Sequence, residues 1–318
     1  MLRYSVSGAE IASDLAFPEL SCSNGFRPVD VSFRLNAHRI PPRNPDWFLN
    51  STTPAGDPWA SCGKVDGGYV LRYAGLAEFV IERKPATIYC GRIEPGVDTA
   101  TLRHLVLDQA LPLVLNLIGR DVLHATAVLT GEGGVCAFVG PAGSGKSTLA
   151  ASFCTSGGRP FCDDTLVIEL AETAMAWPGY AGVRLWDDAL EAVVGDGGRR
   201  SSAPVAQYTS KRRHFDSRQA PLLDAYPLTA IYRVARDEAR DFPAAAARIE
   251  PLCARDAFME MVSSAFVMDV TDAATLARHF RFVERLIEMV PVRRLRLPNG
   301  FSQLPDVRSA VLSDLSAG

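Results

Sequence analysis

The chain has 318 residues, 47% of them hydrophobic, with a formal net charge of -3, which is enough apolar content to bury a sizeable core in one or two domains. Acids and bases nearly balance, so no broad cationic field draws the protein onto nucleic acid or an anionic lipid surface. Its seven cysteines are scattered and never form a C-x-x-C pair, which argues against a disulfide framework and a zinc site.

Residues 1–20 carry Asp14 and Glu19 among their apolar positions and lack the basic, apolar, small-residue succession of a secretory signal, so a cytoplasmic location is expected. Short alternating runs at 29–35, 69–73, 77–82 and 87–90, with turns at Gly67-Gly68, Ala74-Gly75 and Lys84-Pro85, predict strands. They make residues 1–98 a β-rich N-terminal section. Between them, residues 40–58 are rich in proline and polar side chains and predict an irregular surface loop.

Residues 99–119 predict a helix, apolar at Leu102, Leu105, Val106, Leu113, Val114 and Leu117, with Pro112 kinking it or opening a second helix. The most lipid-like stretch, 105–118, lies inside it but is too short for a span and is interrupted by Asp108, Gln109, Pro112 and Asn116. It reads as buried helix, and no membrane partner is expected. Residues 122–129 then alternate His124, Thr126 and Val128 against Leu123, Ala125, Ala127 and Leu129, and a glycine-rich turn at 131–134 leads to a strand at 135–139. Beyond lie a helix at 147–156 closed by Gly157-Gly158, a strand at 165–170, and a glycine- and arginine-rich segment at 195–204 expected to be mobile. Strands are predicted at 228–234 and 248–252. An amphipathic helix at 273–290 presents Leu276, Phe280, Val283 and Ile287 on one face. Residues 99–318 thus read as one α/β domain with a helical C-terminal end.

The chemistry-bearing motif is Gly140-Pro141-Ala142-Gly143-Ser144-Gly145-Lys146-Ser147, a complete G-x-x-x-x-G-K-[ST] phosphate loop between an apolar strand and a helix. Its glycines let successive backbone N–H groups point at phosphate oxygens, and the following helix, opened by Lys146, Ser147 and Thr148, adds the positive end of its dipole. Lys146 is expected to reach the terminal phosphates and the Ser147 hydroxyl to ligate magnesium, so ATP and Mg2+ are the expected cofactors. Transporters, GTPases, helicases and kinases share such a loop, which leaves the fate of the γ-phosphate open. Asp163-Asp164 follow one helix and a turn later. Two adjacent carboxylates beside a Mg-nucleotide can divide the work, one holding metal and one accepting a proton, although a turn or cap would also use them. A motor-type ATPase is disfavoured, because no L-S-G-G-Q stretch occurs and no long apolar strand ending in Asp follows the loop.

Leu123-His124-Ala125, the phosphate loop, the helix, the double glycine and Asp163-Asp164 together resemble the catalytic domain of bacterial HPr kinase/phosphorylase, over about residues 121–170. More widely, the β-rich front and the Leu-His-Ala-Thr-Ala-Val stretch are similar to HPr kinase-related proteins encoded beside peptide-modification enzymes. The resemblance implies an α/β, P-loop core of the HPr kinase/PEP carboxykinase type. It implies Asp163 as general base, Asp164 together with Asp163 and Ser147 at the magnesium site, and His124 as a neighbour that orients the base. It also implies a serine or threonine hydroxyl of a peptide or protein as acceptor. The chain departs from the family in carrying Thr148 where an acidic residue is usual and in lacking an arginine- and glycine-containing signature after residue 200. What remains implied is the kinase half of the activity.

Lys211-Arg212-Arg213-His214 could close over the phosphates to neutralise charge, or be a solvated basic loop. Arg184, near Trp177, Tyr180 and Trp186, is a further candidate nucleotide contact. Two rival readings stand beside the protein kinase: a nucleotide-binding regulatory protein that makes no phosphorylated product, and a small-metabolite kinase. The sequence leaves a homo-oligomer open.

Overall fold

The computed structural model describes residues 1–35, 44–53, 55–131, 133–180, 182–195, 197–214, 220–236, 246–267 and 269–317. Residues 40–43 and 54 of the expected loop, 132 of the expected turn and 196 of the glycine-rich segment lie outside them. The fold is mixed α/β.

The first nine-stranded sheet runs, in spatial order, Ser21–Cys22, Leu2–Val6, Ala9–Ser13, Val31–Arg34, Ala86–Ile93, Ala77–Arg83, Gly68–Tyr73, Pro58–Val65 and Asp46–Thr52. All four strands expected from alternation are present. The opening hairpin was not anticipated; its turn is Ser7-Gly8, with φ +54° and +72°, the left-handed pair that a two-residue hairpin requires. Asp46–Thr52 is a strand where irregular loop was expected. It is the outermost strand, where polar residues and register shifts are tolerated because one side needs no partner.

The predicted helix is built as Thr99–His104, a π-helical stretch Leu105–Ala110, and Leu111–Leu117. Leu102, Leu105, Val106, Leu111, Val114 and Leu115 share a core with Phe33, Phe79 and Ile81 of the first sheet. Pro112 falls in the first turn of the last stretch, directly after the π-helical one, and removes one backbone donor from a run that is helical throughout.

The second sheet has Val135–Val139 flanked in parallel by Tyr226–Arg236, which in turn pairs in parallel with Val292–Leu297. On the other side of Val135–Val139 lie Thr126–Leu129 and then Arg159–Cys162, both antiparallel. Both faces are covered. Ala127, Leu129, Val135, Ala137 and Val139 pack with Ala257, Met261, Val283 and Leu286 of two helices, Ala254–Ser263 and Ala273–Met289. Val128, Cys136 and Phe138 pack with Leu149, Phe153 and Val311 of Lys146–Cys154 and Leu304–Ala317 on the opposite face. Alternation here therefore sorts residues between two cores, not between core and solvent.

Two expectations shift. Residues 122–129 are two strands, Asp121–Leu123 and Thr126–Leu129, because the chain changes partners at His124, whose N–H donates to Ser264 O. The buried face of Ala273–Met289 is His279, Phe282, Val283 and Leu286, and Phe280 is exposed. A third, small sheet joins Val183–Leu185, Thr209–His214 and Ser202–Ala206. Among the described residues, no helix is long and apolar enough to cross a membrane.

Candidate active site

The loop at residues 140–145 joins Val135–Val139 to Lys146–Cys154. Gly140, Gly143 and Gly145 have φ of +136°, +79° and +103°, conformations that only glycine adopts readily. A Cβ at Gly140 would stand 2.8 Å from Val234 O, so this position is restricted by space as well. Pro141, Ala142 and Gly143 are exposed at the tip, and Ser144 is buried with its hydroxyl unpartnered. No side chain caps the helix, which leaves the N–H groups of Lys146, Ser147 and Thr148 without intrahelical acceptors. Lys146 is buried, and its Nζ donates to Gly140 O at 2.7 Å and Pro141 O at 3.1 Å. Burial pushes its ammonium down from the usual value, opposed by Asp164 and Asp163.

Behind the loop, Asp163 is 4% exposed and every lone pair of its carboxylate is engaged. Oδ1 accepts from Thr126 Oγ1 and Ser147 Oγ, both at 2.9 Å, while Oδ2 accepts from the Arg184 backbone N–H at 2.8 Å and its Nε at 3.1 Å. Asp164 has φ +73°, a left-handed turn that aspartate tolerates better than most residues, and its side chain keeps 28% of its surface. Its Oδ2 meets Arg184 Nη2 at 2.6 Å, and its Oδ1 lies 3.4 Å from His124 Nε2. Burial would raise the Asp164 carboxyl, but Arg184, with His124 and Lys211, outweighs it and holds the group well below the usual carboxylate range. The His124 ring stacks on Phe266 with planes 5° apart, which fixes its orientation.

Arg184 is the centre of this network. It is 4% exposed, and besides both aspartates it pairs with Asp108 at 2.9 Å. Burial alone would discourage its charge, yet Asp108 and Asp164 hold it firmly protonated. Asp108 sits on the π-helical stretch and also contacts His104 Nδ1 at 2.5 Å and the Tyr180 hydroxyl. The expected nucleotide contact at Arg184 is thus a guanidinium whose Nε, Nη1 and Nη2 all face protein acceptors. Asp108 and His104 were missed as site residues. The available signal was an aspartate inside an apolar helical run with a histidine four residues earlier, a spacing that places both on one helix face.

The basic run lies on Thr209–His214, which pairs Arg213 directly with Arg184. Successive strand residues alternate faces, so Arg184, Arg213 and Lys211 project together. Lys211 lies over the Trp186 ring at 5.5 Å and is close enough to Asp164 to act on its charge. Arg213 pairs with Glu19 at 2.9 Å and covers the Tyr180 ring. Arg212 points away and is held by Ser202 Oγ and O.

Among the described residues, no three His, Cys, Asp or Glu side chains gather as a metal cage. The oxygen groups beside the loop are instead the Ser147 hydroxyl, oriented by Asp163, and the partly open Asp164 carboxylate, hard donors of the kind magnesium takes when phosphates and water complete its shell. The uncapped helix N–H groups and the loop glycines are of the kind that accommodates phosphate oxygens.

No family model matches the chain, and no curated protein matches it. Among solved structures it is similar to the Hpr(Ser) kinase/phosphatase from Coxiella burnetii, at 11% identity over 62% of this chain and 97% of that one, with a TM-score of 0.31. So weak a superposition assigns no residue a role.

Proposed function

We propose that this protein is an ATP-dependent kinase that transfers the γ-phosphoryl group to a hydroxyl, with serine or threonine of a peptide or protein as the acceptor. The observation that carries the reading is the Ser147–Asp163 hydrogen bond directly behind a complete phosphate-loop motif. Because the Ser147 proton is given to Asp163, the hydroxyl lone pairs remain for a cation. Bound Mg-ATP supplies the phosphoryl group and the charge-neutralising metal; Lys146 and the N–H groups of residues 143–148 hold the phosphates. Lys211 neutralises charge from the opposite wall.

In this reading Asp164 takes the role of base, and Asp163 acts on the magnesium site only through Ser147, whose hydroxyl it orients. The support is that Asp163 has no free lone pair, whereas Asp164 is partly open and backed by His124. A carboxylate held well below its usual range is a weak base, but phosphoryl transfer passes through a loose transition state in which orienting the hydroxyl matters more than early proton removal. Asp164→Asn is expected to lower kcat about 10²- to 10⁴-fold with ATP affinity little changed. Asp163→Asn should weaken Mg-dependent ATP binding as well. Calorimetry and turnover on the same samples test this, and the opposite pattern would return the base to Asp163. His124→Gln should lower kcat about ten- to a hundred-fold without moving ATP affinity, because it displaces Asp164 and touches no phosphate; wild-type turnover would make His124 purely structural.

A second reading, ATP binding without transfer, is favoured by the hold of Arg184 on both carboxylates. γ-Labelled ATP with lysate of the source organism separates the readings. A labelled polypeptide supports the kinase, a labelled metabolite replaces the acceptor, and bound but untransferred ATP leaves the regulatory protein.

A further inference from the structure

A concavity of about 560 Å³ shares no residue with the loop site. That volume is typical of a small-molecule pocket. Its wall includes Arg278, Arg281 and Arg285 of Ala273–Met289, which recur at three- and four-residue spacing and so share one face along about 10 Å of helix axis. Arg120, from the turn before Asp121–Leu123, lines it too. Against four guanidiniums stand two carboxylates, Asp121 and Glu169. Glu169 already accepts from the Trp177 indole at 3.0 Å.

Among the described residues, none of the four arginines is in an ion pair. Arg278 Nη2 donates to Asn116 O at 2.9 Å, but its Nε is buried without a partner, as is Asp121 Oδ1. A solvated helix face would explain exposed Arg281 and Arg285. Arg278 acts on the charge of Asp121 and Arg120 Nη2 reaches Gly8 O at 3.5 Å, but neither contact supplies the buried Arg278 Nε with an acceptor or balances four guanidiniums against two carboxylates. Like charges gathered in a cleft repel one another until an anion arrives, and each guanidinium offers a planar fork that matches a phosphate or carboxylate.

We propose that this cleft binds a compact ligand carrying two or more phosphate or carboxylate charges, with Arg281 and Arg285 clamping it from the rim and Arg278 and Arg120 from within. The inference is independent of phosphoryl transfer at the loop. The probes are inorganic pyrophosphate and citrate, titrated calorimetrically into the full chain. Because pyrophosphate can also occupy the phosphate loop, the titration is repeated in Lys146→Met. The expected result is one site that survives Lys146→Met and is weakened at least tenfold by Arg281→Gln/Arg285→Gln, two exposed positions whose replacement should leave the melting temperature unchanged. Arg255→Gln, an exposed arginine outside the cleft, should have no effect. Tighter pyrophosphate than citrate marks a phosphate ligand, and the reverse a carboxylate one. The proposal is overturned if neither probe binds, if binding is lost with Lys146→Met alone, or if the double variant weakens it no more than Arg255→Gln does.

Discussion

Arg184→Met is expected to destabilise the protein by about 3–5 kcal/mol, because it removes the cation shared by Asp108, Asp163 and Asp164 and strands carboxylates in the interior. Methionine keeps the length and apolar stem of arginine, so lost packing contributes little. The pH dependence separates this cause from a general packing defect. In the wild type, Arg184 helps to hold Asp108 and Asp164 below the ordinary carboxylate range despite their burial. Their stabilisation is therefore present at neutral pH and is lost only as pH falls below about 4. Without Arg184, burial is opposed only by His104 and Tyr180 at Asp108 and by His124 and Lys211 at Asp164, so both carboxyls rise relative to the wild type, the penalty grows as pH rises and it is relieved on acidification. Urea unfolding at pH 5.5 and 7.5 should show the deficit shrinking at the lower value. A deficit under about 1 kcal/mol at pH 7.5, or one that is the same at both pH values, would remove Arg184 from the centre of the site. Should the variant fail to accumulate, Asp108→Asn tests the same network more gently. It leaves Arg184 two carboxylates and should cost about 1–3 kcal/mol.

Lys146→Met is expected to lower kcat/KM about 10³-fold while leaving the fold intact. Lys146 is the one cation carried by the loop itself, and in the proposed reaction its ammonium leaves the two loop carbonyls for the phosphates; removing a charge that stabilises the transferring group typically costs about 10²- to 10³-fold or more. The folded state loses little. Methionine fills the space, and the two carbonyls that Lys146 now contacts belong to Gly140, partly exposed, and Pro141, at the exposed tip, where water can replace the ammonium. The measurement is turnover with γ-labelled ATP beside a melting curve. Wild-type turnover in a well-folded variant would withdraw the phosphate-loop assignment.

The strand, glycine-rich turn and helix around residues 140–147 were legible in the sequence because everything they need is contiguous. Three glycines supply left-handed torsions, and hydrophobic runs on either side specify the entering strand and the leaving helix. The strands at 69–93 were legible for a similar reason, since alternation and turn residues act over a few positions. The different surroundings of Asp163 and Asp164 were not. Adjacent carboxylates are alike in sequence, and their difference arises from the positive φ of Asp164 and from Thr126, Ser147 and Arg184 arriving from three other elements to saturate Asp163. Arg184 suggested a nucleotide contact only as long as its surroundings were unknown. Its partner Asp108 looked like an interruption in an apolar helix. Which buried charge meets which is decided by how the π-helical stretch and the small sheet pack against the loop, and no local propensity carries that information. The same physics rotated the buried face of Ala273–Met289 away from Phe280: phenylalanines at 280 and 282 are equally apolar, and only the neighbouring strands choose between them.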